Sequence, residues 1–165
     1  MNTHTATKIT LTENAALAVV TLLALLCATT AHATLGGDSA SIAADGQHMN
    51  VKLAARRTVA ASGSYTVVAS TLPDGTEIRQ YLSSSGVVFA VAWSGPFIPD
   101  LRQLLGPHFD TMVSRQAGLS NAGHRHFSMH EPGLVIESGG HQRSFAGRAY
   151  LPAEVPAGVD IQEIR

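Results

Sequence analysis

Cysteine is nearly absent from this sequence: the chain has one cysteine in 165 residues, at position 27. Aromatic residues are also scarce, at 5%, and charged residues make up only 14%. The 11 basic and 12 acidic residues leave a formal net charge of −1 at pH 7. A chain without a basic excess lacks the electrostatic footprint of nucleic-acid-binding proteins and of polybasic membrane anchors. We therefore predict no nucleic-acid partner and no electrostatic attachment to a membrane.

The main apolar run of the chain, residues 15–26, carries no charge. Lys8 precedes it, and Ala31 and Ala33 follow it with the small–x–small spacing of a signal-peptidase site. A membrane-spanning helix needs roughly 20 apolar residues, so the run is too short to remain as an anchor. This order predicts a signal peptide over residues 1–33, cleaved after Ala33. The expected product is periplasmic or secreted, with no stable membrane span.

Cleavage after Ala33 removes Cys27 and leaves residues 34–165 as a single domain without cysteine. Such a domain forms no disulfide and offers no thiolate to a metal or a substrate. Two alternatives stay open for the leader: a buried helix of a cytosolic protein, and a lipid-attachment site at Cys27. The second alternative conflicts with Leu26, because lipoprotein signals place a small residue directly before the cysteine.

Period-two alternation, which is typical of strands, begins near residue 64. Pro73 and Gly75 mark a turn, and the pair Gly139-Gly140 marks a hairpin. The segment 51–57 is ambiguous. The pattern predicts two meanders of three strands each, over residues 64–72, 76–82, 87–93, 124–130, 134–138 and 141–151. One face of the third strand is predicted to carry Val87, Phe89, Val91 and Trp93.

Two helical segments accompany these strands. Residues 34–50 predict a short helix that is capped by Asp38 or Ser39. Residues 100–116 carry apolar side chains at helical spacing, and Pro107 predicts either a kink or the start of a second helix. The order helix, strands, helix, strands favours an α+β domain. We expect two layers, with the helices packed on one face of an antiparallel sheet of about six strands.

Long stretches of the chain resemble an exported bacterial family known as domain of unknown function 2844. The resemblance is carried by GVVFAVAWSGPFIPDLRQLLGPHFD at residues 86–110 and by LVIESGGHQRSFAGRAYLPAEVPAGVDIQEIR at residues 134–165. ATLGGDSAS at residues 33–41 and the pair YTV and LPDGTEIRQY within residues 65–81 add to it. It implies a periplasmic or secreted bacterial protein of this size. It brings no catalytic residues to this chain.

The segment HRHFSMH, outside the part that carries the resemblance, places histidines at alternate positions. As a strand it carries His124 and His126 on one face, about 7 Å apart, and His130 continues the same row. His141 follows after the next predicted hairpin. Neutral imidazole ligates zinc or copper, so these four histidines form a candidate metal site. The alternative is the solvated face of an edge strand, because no carboxylate lies in the row to orient an imidazole.

Arg143 and Arg148 are candidates for binding a carboxylate, a phosphate or a sulfated glycan through guanidinium forks. As strand residues five apart they face opposite sides of a sheet, unless a bulge at Gly147 realigns them. The alternative is that surface arginines pair with Glu77 or Glu137. The wider set of candidate arginines includes Arg57 and Arg79.

Trp93 and Tyr150 form a candidate apolar surface for a ligand, with burial in the core as the alternative. No serine lies in a Gly-x-Ser-x-Gly elbow, and no pair of carboxylates is marked out for glycoside chemistry. We therefore favour a non-enzymatic module that binds an envelope protein or a small ligand and needs no cofactor. Two alternatives remain: a metal-binding protein that holds zinc or copper on the histidine face, and a cell-envelope hydrolase with an unrecognised site.

Overall fold

The structure, a computed structural model, describes residues 34–51, 56–60, 63–118 and 126–165. These residues belong to one compact unit, Ala31–Arg165. The predicted signal peptide over residues 1–33 lies outside the described residues, and so does His124.

Three helices and seven strands make up the described part of the chain. The helices are α1 (Ser39–His48), α2 (Leu101–Leu105) and α3 (Pro107–Gly118). The strands are β1 (Arg56–Val59), β2 (Tyr65–Thr71), β3 (Glu77–Ser83), β4 (Val88–Gly95), β5 (His126–Glu131), β6 (Leu134–His141) and β7 (Ser144–Tyr150). A C-terminal segment follows β7 and contains two short 3-10 turns, Pro152–Glu154 and Ile161–Glu163.

All seven strands form one antiparallel sheet in the order β1-β2-β3-β4-β7-β6-β5. The predicted α+β class with an antiparallel sheet is confirmed, but the predicted number of six strands is wrong. The additional strand is β1, which lies partly within the ambiguous segment 51–57. Arg57, Thr58 and Val59 of β1 are all exposed, so this edge strand has no alternation of polar and apolar side chains to reveal it.

The hairpin between β6 and β7 turns three residues later than the sequence predicts. His141 pairs with Ser144, so the chain reverses at Gln142 and Arg143, and Arg143 has a φ of 65°. Gly140 lies inside β6. A Cβ at this position would sit 2.2 Å from the main-chain oxygen of Ser144, so the glycine serves a close approach of two strands rather than a turn.

The helix ends follow the predicted signals. The Asp38 carboxylate caps α1 by accepting hydrogen bonds from the N–H groups of Ala40 at 2.9 Å and Ser41 at 3.0 Å. Pro107 begins α3, directly after Gly106, whose φ of 53° ends α2. The second of the two outcomes predicted for Pro107 is therefore the one observed.

The sheet buries side chains on both faces. The helix-side core joins α1, α2 and α3 to the sheet through residues such as Ile42, Leu104, Met112 and Trp93. The opposite face carries a smaller core that we call the tail-side core, because Ile164 of the C-terminal segment is fully buried in it. Its other buried members are Tyr65, Tyr81, Phe89, Ala90, Ala92, Val135 and Tyr150. The C-terminal segment thus adds a thin third layer to the two predicted layers.

A β-bulge in β4 changes which side chains share a face. Tyr81 pairs with Ala90 and Leu82 pairs with Val88, so Phe89 is an extra residue in the ladder. Phe89 therefore lies in the tail-side core, whereas Trp93 lies in the helix-side core. The predicted common face for Phe89 and Trp93 is wrong, because strict alternation assumes a ladder without a bulge.

Candidate functional site

The register of the sheet places small side chains side by side on three strands, in a row that ends at His126 of a fourth strand. Ser94 of β4 pairs with Ala146 of β7, Ala146 pairs with Gly139 of β6, and Gly139 pairs with His126 of β5. We call Ser94, Ala146 and Gly139 the shelf. Because their side chains are a hydroxymethyl, a methyl and a hydrogen, the sheet surface is low and flat along this row.

The shelf is the floor of a groove of about 700 Å³ on the tail side of the sheet. The C-terminal segment forms one wall through Gln162, Ile164 and Arg165. A volume in this range suits a small molecule. The remaining residues that border the groove are Arg79, Trp93, His126, Phe127, Ser128, Glu137, Ser138, Gly147 and Arg148.

Arg148 links the sheet to the C-terminal wall. Its Nε donates to Glu137 Oε2 at 2.8 Å, and its Nη1 donates to the main-chain oxygens of Ile161 at 2.7 Å and Ile164 at 3.3 Å. Glu137 also contacts His130 Nε2 at 2.8 Å. Burial alone raises the pKa of Glu137, but the hydrogen bonds and charges of Arg148 and His130 outweigh burial and hold that pKa below its usual range. Glu137 is therefore ionised at neutral pH.

Arg79 and two tyrosines hold the end of the same wall. Arg79 Nε donates to Glu77 Oε1 at 2.8 Å, and its Nη1 donates to the main-chain oxygen of Arg165. The Tyr81 hydroxyl contacts the same oxygen at 3.1 Å. The Tyr65 hydroxyl donates to Glu163 Oε2 at 2.7 Å, which raises the pKa of Tyr65 to about 12. The wall is thus fixed by side chains from β2, β3 and β7.

The groove carries more positive than negative groups. Three guanidinium groups border it, on Arg79, Arg148 and Arg165, against one carboxylate, on Glu137. Arg148 is committed to Glu137 and to main-chain oxygens. Among the described residues, the Nη2 atom of Arg79 and the guanidinium of Arg165 have no hydrogen-bond partner. An anion that enters the groove therefore meets unused guanidinium donors.

Comparison with known families supports the resemblance seen in the sequence. A family model described as "Protein of unknown function (DUF2844)" matches residues 31–164. The chain belongs to the DUF2844 family. Neither the curated proteins nor the solved structures contain a match to it.

Of the four predicted ligand-binding residues, Arg148 and Trp93 are among those that border the groove of this DUF2844 member, and Arg143 and Tyr150 are not. Arg148 borders the groove, whereas Arg143 lies in the β6–β7 turn, away from it. Trp93 is 2% exposed in the helix-side core, and Tyr150 is 8% exposed in the tail-side core. The two aromatic residues therefore lie on opposite faces of the sheet and form no common surface.

Of the predicted histidine face, the structure describes His126 and His130 in β5. His126 and His130 lie on one face of that strand, and both are exposed. His141 ends β6, two residues beyond the partner of His126. Within the ranges described, no group of three or more histidine, cysteine, aspartate or glutamate side chains is arranged to hold a metal ion. The carboxylate next to His130 is Glu137, which comes from the neighbouring strand.

A second polar cluster is enclosed on the helix side. Asp45 of α1 accepts hydrogen bonds from Gln103 Nε2 of α2 at 2.6 Å and from Gln80 Nε2 of β3 at 3.3 Å. Gln80 Nε2 also donates to Thr34 Oγ1 at 3.1 Å. Asp45, Gln80 and Thr34 are buried, and burial raises the pKa of Asp45 to about 6. Sequence patterns gave no sign of this cluster, which ties two helices and residue 34 to the sheet.

In the described part of the chain, no helix is both long enough and apolar enough to cross a membrane.

Proposed function

We propose that this DUF2844 member is an exported, non-enzymatic module that binds a small anionic ligand in the groove beside the C-terminal segment. The observation that carries the proposal is the unused donors, Nη2 of Arg79 and the guanidinium of Arg165, at the border of a 700 Å³ groove; the other donors of Arg79 bind Glu77 and the main chain of Arg165. A guanidinium without a partner is suited to a carboxylate or phosphate oxygen, because such charge-assisted hydrogen bonds are stronger than neutral ones. Export is supported by the leader pattern of residues 1–33.

The geometry of the groove favours binding over hydrolysis. Ser128, His130 and Glu137 lie together, which at first suggests a catalytic triad. However, Ser128 Oγ at 3.4 Å and Glu137 Oε1 at 2.8 Å both contact the same ring nitrogen, His130 Nε2. A triad needs one imidazole nitrogen to take the serine proton and the other to face the carboxylate. The arrangement seen here does not orient His130 as a general base for Ser128.

Arg165 is the residue that tests anion binding with least damage to the fold. Its main chain makes the contacts to Arg79 and Tyr81, so Arg165→Gln removes the charge and keeps those contacts. We expect purified protein to bind octanoate, glucuronate or inorganic phosphate with a dissociation constant of about 1 mM or below, measured by calorimetry. Arg165→Gln is expected to weaken that binding roughly tenfold, the effect of one charge-assisted hydrogen bond.

Arg143→Gln is the matched control, because Arg143 is exposed and lies outside the groove. It removes the same charge and is expected to leave the affinity within twofold of the original. Equal losses of affinity in the two variants would show that binding depends only on the overall charge of the protein. If none of the three probes bound, the proposal would be wrong.

Signal cleavage during export predicts the intact mass of the exported protein. Protein recovered from the periplasm or the medium is expected to begin at Thr34, whose hydroxyl contacts Gln80 in the folded domain. Intact-mass spectrometry measures this directly. A mass that includes residues 1–33, or a diacylglyceryl group on Cys27, would contradict export by signal cleavage after Ala33.

A further inference from the structure

The shape of the groove restricts the ligand more than its charge does. The row from Ser94 through Ala146 and Gly139 to His126 crosses four adjacent strands. Three inter-strand spacings correspond to about 14 Å. The shelf and His126 together therefore form a long, narrow row that runs across the strands rather than along them.

The chemistry of the shelf is mostly apolar. The main-chain groups of these residues belong to the sheet ladders, and the side chains of Ala146 and Gly139 offer no hydrogen-bonding atom. A ligand body rich in hydroxyl groups, such as a sugar, would leave most of its donors and acceptors without partners here. An apolar ligand body has no donors or acceptors that would be left without partners.

The two ends of the shelf differ in charge. At the β4 end of the row, Glu77 of β3 pairs with Ser94 and accepts a hydrogen bond from Arg79, which lies two residues further along β3 opposite Ala92. The charge of Arg79 balances that of Glu77, so the guanidinium of Arg165 is the excess positive group at this end. Among the described residues, the other end of the row is the exposed imidazole of His126. The positive end and the long apolar floor together select an elongated molecule with one anionic group at one end.

We infer that the groove takes a straight-chain monocarboxylate, with its carboxylate at Arg79 and Arg165 and its acyl chain along the shelf towards His126. This inference rests on the proposed binding function and names the class of its ligand. An extended chain of about ten carbons matches a length near 14 Å, given carbon–carbon bonds of about 1.5 Å in a zigzag.

Chain length is the variable that separates this ligand class from other anions. Complete burial of a methylene group strengthens binding by roughly fourfold. The shelf is open on one side, so about half of each methylene is covered and the expected gain is about twofold per methylene. Calorimetric titration with butanoate, hexanoate, octanoate and decanoate is expected to show this progression, with a total gain of roughly 60-fold across the series.

Ala146→Leu tests whether the chain lies on the shelf. Ala146 is exposed, so a leucine there fills the middle of the shelf without entering either core. We expect butanoate to bind Ala146→Leu as before and decanoate to lose at least tenfold. Ser144→Leu is the control: it is exposed, on the same strand and face, and outside the groove, and it is expected to preserve the full progression. Ser94→Leu provides a second obstruction of the same row if Ala146→Leu fails to fold.

The outcomes distinguish this inference from the proposed function. Equal affinities for all four acids, still weakened by Arg165→Gln, would overturn the acyl-chain ligand and retain the anion site. A progression that Ala146→Leu and Ser94→Leu leave intact would place the chain elsewhere and also overturn the inference. No binding of these acids, of glucuronate or of phosphate would overturn both.

Discussion

Replacement of Gly147 by alanine is expected to lower the free energy of unfolding by about 3 kcal/mol, because a methyl group at this position would overlap neighbouring atoms. A Cβ on Gly147 would lie 2.3 Å from Trp93 Cζ2, 2.6 Å from Trp93 Cε2 and 2.8 Å from the main-chain oxygen of Glu137. Trp93 is buried in the helix-side core, and the Glu137 oxygen belongs to the neighbouring strand. Neither neighbour can yield without disturbing the sheet.

Urea denaturation followed by fluorescence measures this effect, since Trp93 is the single tryptophan of the chain and reports on the same contact. Gly133→Ala is the matched control, because nothing lies within 4 Å of a Cβ placed on Gly133. A substitution at such an open position is expected to change the stability by no more than about 0.5 kcal/mol. If Gly147→Ala were as stable as Gly133→Ala, the close packing of Trp93 on β7 would be wrong.

Replacement of Asp45 by asparagine is expected to stabilise the protein at pH 8 by up to about 3 kcal/mol and to have little effect near pH 4. Burial raises the pKa of Asp45 from 3.8 to about 6 in the folded state, so the folded state holds the proton more tightly than the unfolded state. The stability of the original protein therefore falls as the pH rises from about 4 to about 6 and is then level. An asparagine carries no charge and avoids this loss.

The new amide can be accommodated by its neighbours. Gln80 reaches both Asp45 and Thr34 through its amide nitrogen, and rotation of that amide by half a turn presents its oxygen to the side-chain nitrogen of the introduced asparagine instead. Asp110→Asn is the control, because the side chain of Asp110 is 77% exposed. Denaturation at pH 4 and at pH 8 isolates the effect. A stability difference between Asp45→Asn and the original protein that does not grow with pH would contradict the raised pKa.

Sequence patterns predicted those elements whose ends are determined by interactions between neighbouring residues. The Asp38 cap and the helix start at Pro107 depend on residues within one or two turns, so their signals are present in adjacent positions. The strands of both meanders were visible because apolar and β-branched residues run between turn signals, and β4 is buried on both faces from Val88 to Trp93. β1 was missed since its side chains at positions 57–59 are exposed, and exposure leaves no pattern.

The bulge at Phe89 and the glycines of β6 illustrate a different limit. Both depend on how one strand meets another: Phe89 is extra only relative to Tyr81 and Leu82, and Gly140 is required only by the approach of Ser144. In isolation the pair Gly139-Gly140 indicates a turn, although here Gly140 permits a close contact between two strands. A bulge residue or a glycine required by a neighbouring strand cannot be recognised until the register between the strands is known.

The candidate site was the least predictable part of the molecule. Arg148 was identified from the sequence, and so was Glu137 as a possible partner, but the wall of the groove was not. Its contacts join residues far apart in the chain, such as Tyr65 with Glu163, 98 positions away, and Arg79 with Arg165, 86 positions away. Periodicity carries no information over such distances, and the charged C-terminal segment gave no sign that it covers the sheet.

The location of a bound anion tests the central claim most directly. In a titration of ¹⁵N-labelled protein with octanoate, the amides of Gly139, Gly147 and Arg165 are expected to shift together and to saturate with a single dissociation constant. The amides of Gly46 and Gly133, which lie outside the groove, are expected to stay unchanged. Shifts centred on another surface, or no saturable shift at the groove up to 10 mM octanoate, about −2.7 kcal/mol of binding free energy, would contradict the assignment of this groove as the ligand site.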